Sequence, residues 1–236
     1  MRKFVLIAFS FVFIISISAQ VKKPVQAKPV TKIMVVKGRL VEIKTDYGTM
    51  IVKLYDSTPL HRDNFIVKVK DKFYDSLLFH RVINGFMVQG GDPESKAADS
   101  AAMLGNGEAP GEMIPAEFRS HLIHKKGALA MARTDNPEKA SSNCQFYIVQ
   151  GKVTDDATLN QIECSARQNG NADFYYTDAE RNIYKTIGGT PFLDQNYTVF
   201  GEIIKGIDVI DKIAATQTDP NDRPLKNIRM KMRMLN

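Results

Sequence analysis

The chain has 236 residues, 44% of them hydrophobic and 25% charged, which is the arithmetic of an ordinary globular protein with one sizeable core. Its formal net charge of +6 comes with no long basic block, so nucleic acid is not the default partner. Two cysteines exclude a disulfide-rich scaffold, and fifteen glycines with ten prolines follow no collagen-like repeat.

Arg2 and Lys3 precede an apolar run from Phe4 to Ile17, and Ser16, Ser18 and Ala19 supply small residues before Gln20. That order predicts a secretory signal peptide over residues 1–19, with cleavage near Ala19. A retained membrane anchor is the alternative, but the run is shorter than the ~20 residues that span a bilayer. The expected destination is a periplasm or the exterior, with no stable membrane insertion once the signal is removed. Residues 20–37 intersperse Lys22, Lys23, Pro24, Lys28, Pro29, Lys32 and Lys37 with small apolar residues and read as a solvated linker. Contact with an anionic membrane surface is the sharper alternative.

The folded part is expected to occupy residues 38–236. Arg39 to Thr45 alternates, Asp46-Tyr47-Gly48 is a turn, and Met50 to Tyr55 alternates again, which predicts a β-hairpin. Thr58-Pro59 starts a helix, with a hydroxyl for the cap and proline at the first position. Short strands are predicted over Leu77–Val82, Phe86–Gln89, Gly127–Met131, Phe146–Val149 and Thr198–Ile203. Gly206 to Ala215 carries a helical apolar face. Ile228, Met230, Met232 and Met234 alternate with Arg229, Lys231 and Arg233, the period of a strand with one buried side. Many short strands with an early and a late helix point to a closed antiparallel barrel with helical caps. His80 could be a metal ligand or a base, but with no second His or carboxylate at ligand spacing it reads as structural; His61, His121 and His124 are scattered and receive no role. Gly105-Asn106-Gly107 to Gly111 opens no apolar helix and is read as loop.

The run Phe79-His80-Arg81-Val82-Ile83-Asn84-Gly85-Phe86-Met87-Val88-Gln89-Gly90-Gly91-Asp92 closely resembles the signature of the cyclophilins, the peptidyl-prolyl cis-trans isomerases. Asn64-Phe65, Phe73-Tyr74-Asp75, Gly127 to Ala132, Ser142 to Ile148, Leu193-Asp194 and Val199-Phe200-Gly201 agree with the same family in order. The resemblance covers about residues 40–150 and 190–234. It implies a mainly β fold, a closed eight-stranded antiparallel barrel capped by two α-helices. It also implies Arg81 as main catalytic residue, with Gln89 holding its guanidinium. Phe86, Met87, Tyr147 and Leu193 would form a proline socket, with Gln145 also in contact with substrate. The backbone of Ala132 and Arg133 would receive the peptide, and Phe192 and Tyr197 would rim the site. Tyr147, Phe192, Tyr197 and Arg133 stand where the family more often carries Phe, Trp, His and Asn. Substrate preference and binding of the fungal cyclic-peptide inhibitor are therefore expected to differ.

These residue types suit the chemistry. Rotation about an X-Pro amide must cross ~18–20 kcal/mol because resonance is lost at the twist. No covalent bond breaks, so no nucleophile, base, metal or cofactor is needed. The enzyme has only to bind the twisted amide better than either planar form. A fixed cation near the pyramidal proline nitrogen does this, and arginine is a permanent cation with several donors. A ~10⁵-fold acceleration needs about 7 kcal/mol, at ~1.4 kcal/mol per decade.

The resemblance breaks between Gly151 and Thr190, where the family makes a shorter connection. Thr154-Asp155-Asp156 starts a helix and Asn169-Gly170 stops it; Thr177-Asp178-Ala179-Glu180 is a capping box. The spacing predicts a helical hairpin at about 152–189 beside the groove, shaping long substrates or merely decorating the fold. Export permits a Cys144–Cys164 bridge, although both lie at predicted regular elements. The expected function is prolyl isomerisation during folding of exported proteins, by a monomer acting on proline-containing polypeptides. A non-catalytic proline-peptide-binding or chaperone module on the same fold is the alternative; a scaffold role for the insertion is a third.

Overall fold

The computed structural model describes residues 39–99 and 102–235; the expected signal peptide and linker lie outside them. Strands β1 (Leu40–Thr45) and β2 (Gly48–Leu54) form the first hairpin, with Thr45 opposite Gly48. Its inward residues Val41, Ile43, Met50, Val52 and Leu54 are fully buried. Helix α1 (Pro59–Lys70) follows and buries Phe65, Ile66 and Val69. The expected Thr58 cap does not form: its hydroxyl is buried without a partner. The first-turn N–H groups of Leu60 and His61 donate instead to the Glu117 carboxylate, at 3.2 and 3.0 Å. A charged acceptor makes the stronger bond and displaces the hydroxyl.

Strands β3 (Phe79–Ile83), β4 (Met87–Gly90), β5 (Ala128–Met131), β6 (Phe146–Val149), β7 (Val199–Lys205) and β8 (Lys231–Leu235) complete one antiparallel sheet. Its order is β3-β4-β6-β5-β7-β2-β1-β8. The expected closed barrel is corrected here: the sheet is an open half-barrel, whose edges β3 and β8 share no ladder. The reason lies in the chain before β8. The loop carbonyl of Asp222 takes the outer N–H of Val82, 2.8 Å away. Among the described residues the seam is crossed by an isolated bridge, Leu78 to Arg229, by a few backbone bonds from 76–79 to 228–230, and by side-chain bonds of Arg229 to Ser76 O and of Asp75 to the Met232 N–H. The concave side is filled by side chains. Phe65 packs its ring on Tyr74, Phe146 and Phe200 at centroid distances of 5.0, 5.5 and 5.3 Å.

Between β6 and β7 stand helices α2 (Asp156–Gln168) and α3 (Asp178–Thr186), in the segment where a helical hairpin was expected. Asp155 caps the first, and Thr177 with Glu180 forms the capping box of the second. Leu159, Phe174, Tyr176 and Tyr184 make a small core on Ile123, and Arg181 bridges to Glu163 at 2.7 Å. The hairpin's ends meet at Gly189, which pairs with both Lys125 and Lys152; a Cβ there would collide with the His124 carbonyl. Cys144 is buried and Cys164 exposed, both as free thiols. A fourth helix, α4 (Asp208–Ala214), buries Val209, Ile210, Ile213 and Ala214.

Candidate active site

Sheet register decides which side chains meet. Arg81 of β3 stands opposite Gln89 of β4, Gln89 opposite Tyr147 of β6, and Tyr147 opposite Ala130 of β5. Successive side chains on a strand alternate faces, so this row shares the convex face, while Val82, Val88 and Ile148 point into the core. Two residues along, Ile83, Met87 and Val149 form a second row on that outer side. Met87, Ala128, Ala130, Tyr147, Val149 and Val199 are thus a separate apolar cluster, with Phe86, Leu193 and Tyr197 packed against it.

Over this cluster opens a cavity of about 180 Å³, lined by Arg81, Phe86, Met87, Gln89, Ala132, Arg133, Tyr147, Leu193 and Tyr197. Sequence expectation had placed all nine at the site, and the fold brings them together. The Arg81 side chain is 43% exposed, at the mouth of the cavity rather than out in solvent. Its Nη1 lies 3.5 Å from Gln89 Oε1 and its Nε 3.5 Å from Asp222 Oδ2. Both contacts are long, so they aim the guanidinium without consuming its donors. Asp222 was not anticipated. It sits in the loop that meets the β3 edge, at φ 63°, a left-handed conformation aspartate tolerates.

Two expected contacts stand elsewhere. Gln145 is 3% exposed and does not reach the cavity. Its Nε2 donates to the carbonyls of Gly105 and Gly107 at 2.9 and 2.8 Å, and its Oε1 accepts from Gln89 Nε2 at 3.1 Å. It therefore hangs the glycine loop on the sheet and steadies Gln89. Phe192 lies outside the cavity wall, its ring 5.6 Å from that of Phe86 and 57% exposed, as a rim residue would be. The Ala132 main chain is also engaged: its N–H donates to Gln145 O and its carbonyl accepts from Ser142 N, each at 2.9 Å. Among the described residues, the Arg133 N–H and C=O bond to no other backbone group. The Arg133 guanidinium lies 4.8 Å over the Tyr197 ring and donates to Asn196 O at 3.0 Å, which fixes that wall.

The structure gives partners to two histidines for which the sequence suggests no role. His124 is fully buried, with Nδ1 2.7 Å from Asp194 Oδ1 and Nε2 2.9 Å from the Tyr147 hydroxyl. His61, also fully buried, contacts Glu117 at 2.7 Å and Ser141 at 3.0 Å. His80 is buried with neither ring nitrogen partnered among the described residues; burial pushes its pKa down to about 4, so it is neutral near pH 7. Desolvation likewise raises the Tyr147 phenol well above its ordinary range.

The cyclophilin type peptidyl-prolyl cis-trans isomerase/CLD family model matches residues 40–233. The chain belongs to the cyclophilin family. This cyclophilin is 37% identical over 185 residues to a Staphylococcus saprophyticus protein named for peptidyl-prolyl cis-trans isomerase, covering 78% of this chain and 85% of the relative. A Staphylococcus aureus protein named in the same way is 36% identical over 189 residues, 80% of this chain and 87% of that one. In fold it is similar to a Cryptosporidium parvum cyclophilin, with a TM-score of 0.62 at 22% identity over 84% of this chain and 98% of that one. The same parasite protein crystallised in the presence of the dipeptide Ala-Pro gives 0.61 at 22% identity, covering 84% and 99%.

Proposed function

We propose that this cyclophilin accelerates cis–trans exchange of X-Pro bonds in exported polypeptides, holding the pyrrolidine in the 180 Å³ cavity beside Arg81. The observation that carries this reading is the placement of the half-exposed Arg81 guanidinium at the edge of a slot whose floor is the apolar cluster of Met87, Tyr147 and Leu193. Phe86, Met87, Tyr147 and Leu193 grip the ring. The open N–H and C=O of Arg133 take the peptide main chain as an added strand would. The acyl half then rotates. At the twist the proline nitrogen gains a lone pair that the ground state lacks, and an Arg81 donor meets it there. That bond exists only in the transition state, so it lowers the barrier rather than merely tightening binding. Gln89 and Asp222 hold the guanidinium in advance, which removes a reorganisation cost. The export half rests on the signal-peptide pattern of residues 1–19.

The test is exchange of a short Ala-Pro peptide followed by NMR, with the full chain and with Arg81→Ala. The variant should lose about 10²–10³-fold in kcat, the typical cost of one preorganised donor, while peptide affinity changes little. An intact protein that binds proline peptides without accelerating exchange would establish the binding-module alternative. For export, a mature N-terminus near Gln20 in the envelope or culture fluid supports the reading; an intact Met1 in the cytoplasm overturns it.

A further inference from the structure

Asp194 follows cavity-lining Leu193 directly and is 5% exposed. Four donors converge on its carboxylate. Oδ1 accepts the His124 N–H at 2.8 Å and His124 Nδ1 at 2.7 Å. Oδ2 accepts the hydroxyls of Tyr184 at 2.5 Å and Tyr176 at 2.8 Å. The second of these hydroxyls also lies 3.0 Å from Pro191 O. Both phenols belong to the 152–189 insertion; everything else in the cluster belongs to the sheet and its loops.

The direction of each bond to the carboxylate follows. A carboxylate only accepts, so His124 Nδ1 carries a proton and donates it to Asp194. The other ring nitrogen, Nε2, hydrogen-bonds the Tyr147 hydroxyl across 2.9 Å: a neutral ring accepts there and a protonated ring donates. The His124 and Tyr147 rings are also near-parallel, 11° apart at a centroid distance of 6.0 Å. Burial, followed by the nearby Asp194 charge, pushes the Tyr184 and Tyr176 phenols up, so both stay protonated donors. A continuous chain of hydrogen bonds therefore runs from the insertion to the cavity wall. Leu159 and Phe174 share an apolar cluster with Ile123, and backbone pairing at Gly189 ties down the ends, so the insertion has anchors besides this chain.

We propose that the insertion positions the cavity wall: Tyr184 and Tyr176, acting through Asp194 and His124, fix the Tyr147 ring and so set the grip on proline. This rests on the reading of the cavity as a proline socket. Tyr184 and Tyr176 are positioning residues, remote from the substrate. Removing one hydroxyl leaves Oδ2 under-satisfied, and the carboxylate turns towards its remaining donors. His124 is tied to Oδ1 twice and must follow, carrying the Tyr147 hydroxyl with it.

The test uses the full chain with Tyr184→Phe, Tyr147→Phe and the double variant; Tyr176→Phe stands in if Tyr184→Phe fails to fold. Phenylalanine keeps ring volume and deletes only the hydroxyl. For Tyr184→Phe the expected result is a three- to tenfold higher KM for an Ala-Pro peptide with kcat within about twofold, and displaced His124 imidazole ¹⁵N and Tyr147 ring resonances. In the Tyr147→Phe background the Tyr184 change should add nothing to KM, because its effect passes through the missing hydroxyl. Unmoved His124 and Tyr147 resonances with an unchanged KM overturn the proposal; so does an equal, additive KM effect in both backgrounds. If the intact protein shows no exchange, the isomerase reading fails by itself. The peptide Kd and the His124 and Tyr147 resonances then decide the wiring, and unmoved resonances alone refute it.

Discussion

Replacing Glu117 by glutamine tests whether a side chain remote in sequence is the true cap of α1. Glu117 is 6% exposed and accepts from the Leu60 N–H at 3.2 Å, the His61 N–H at 3.0 Å and His61 Nδ1 at 2.7 Å. The best glutamine rotamer keeps its oxygen on the two His61 donors and turns its NH₂ towards the Leu60 N–H. One charge-assisted bond is lost to a donor–donor contact, and two become neutral. With bonds to charged groups worth ~1.5–3 kcal/mol and neutral ones ~1 kcal/mol, the loss is about 3 kcal/mol. For a domain of this size that is roughly 6–12 °C in Tm. Urea unfolding at pH 7 with a thermal melt measures it. The same experiment as a function of pH gives a second signature. Burial alone would raise the Glu117 pKa, but bonds from the His61 ring and from the His61 and Leu60 N–H groups outweigh it and leave the pKa below 4.5. Its contribution is therefore present above pH 4.5 and disappears as pH falls through the lower folded value. Glu117→Gln should lose that part of the acid-side slope. A stability within about 0.5 kcal/mol of the native chain, the range of an ordinary surface change, would refute the capping argument.

Two further outcomes follow from the same geometry. His80 has a folded pKa of about 4 against an ordinary 6.5, so the unfolded chain binds the extra proton between those values. Its stabilisation is complete above pH 6.5 and is lost towards pH 4, by ~3 kcal/mol at ~1.36 kcal/mol per unit. His80→Phe should flatten that window, and denaturant titrations at pH 7, 5.5 and 4.5 would show it; an unaltered slope would place the acid sensitivity elsewhere. Asp222→Asn removes a partially exposed charge 3.5 Å from Arg81, with both side chains about 40% exposed. Because such pairs are weak, kcat/KM for the Ala-Pro peptide should fall only about two- to fivefold; a loss as large as that of Arg81→Ala would mean that Asp222 acts on the substrate directly.

What sequence made legible was the information carried by short periods. Alternation marked β1, β2 and β8, the Thr177–Glu180 capping box marked α3, and the Phe79–Asp92 run marked the wall that holds Arg81, Met87 and Gln89. Closure of the sheet was not legible in the same way. Alternation along Ile228–Met234 says that one face is buried but not which edge the strand meets. Its inward side chains Ile228, Met230 and Met232 are buried as that pattern requires, yet the ladder runs to β1. The edge of β3 is met by a loop carrying Asp222, whose residue type announces nothing.

The polar supports were illegible for a different reason. His61 meets Glu117 across 56 positions, and His124 meets Asp194 across 70. No local pattern joins such pairs, since a buried histidine and a surface one look alike in sequence. Burial is what gives these contacts their weight, because an unpaired donor in the interior costs far more than one in water. One local signal was available. Tyr147 puts a hydroxyl where the family more often has none, at a position whose neighbours Phe146 and Ile148 are core. A buried hydroxyl requires a partner, and only a few side-chain types can supply one. From that requirement a buried histidine behind the socket could have been inferred, and from the histidine a carboxylate. The two insertion tyrosines would then have been candidates to complete that carboxylate's hydrogen bonds, which turns an apparently neutral decoration into part of the wall it stands behind.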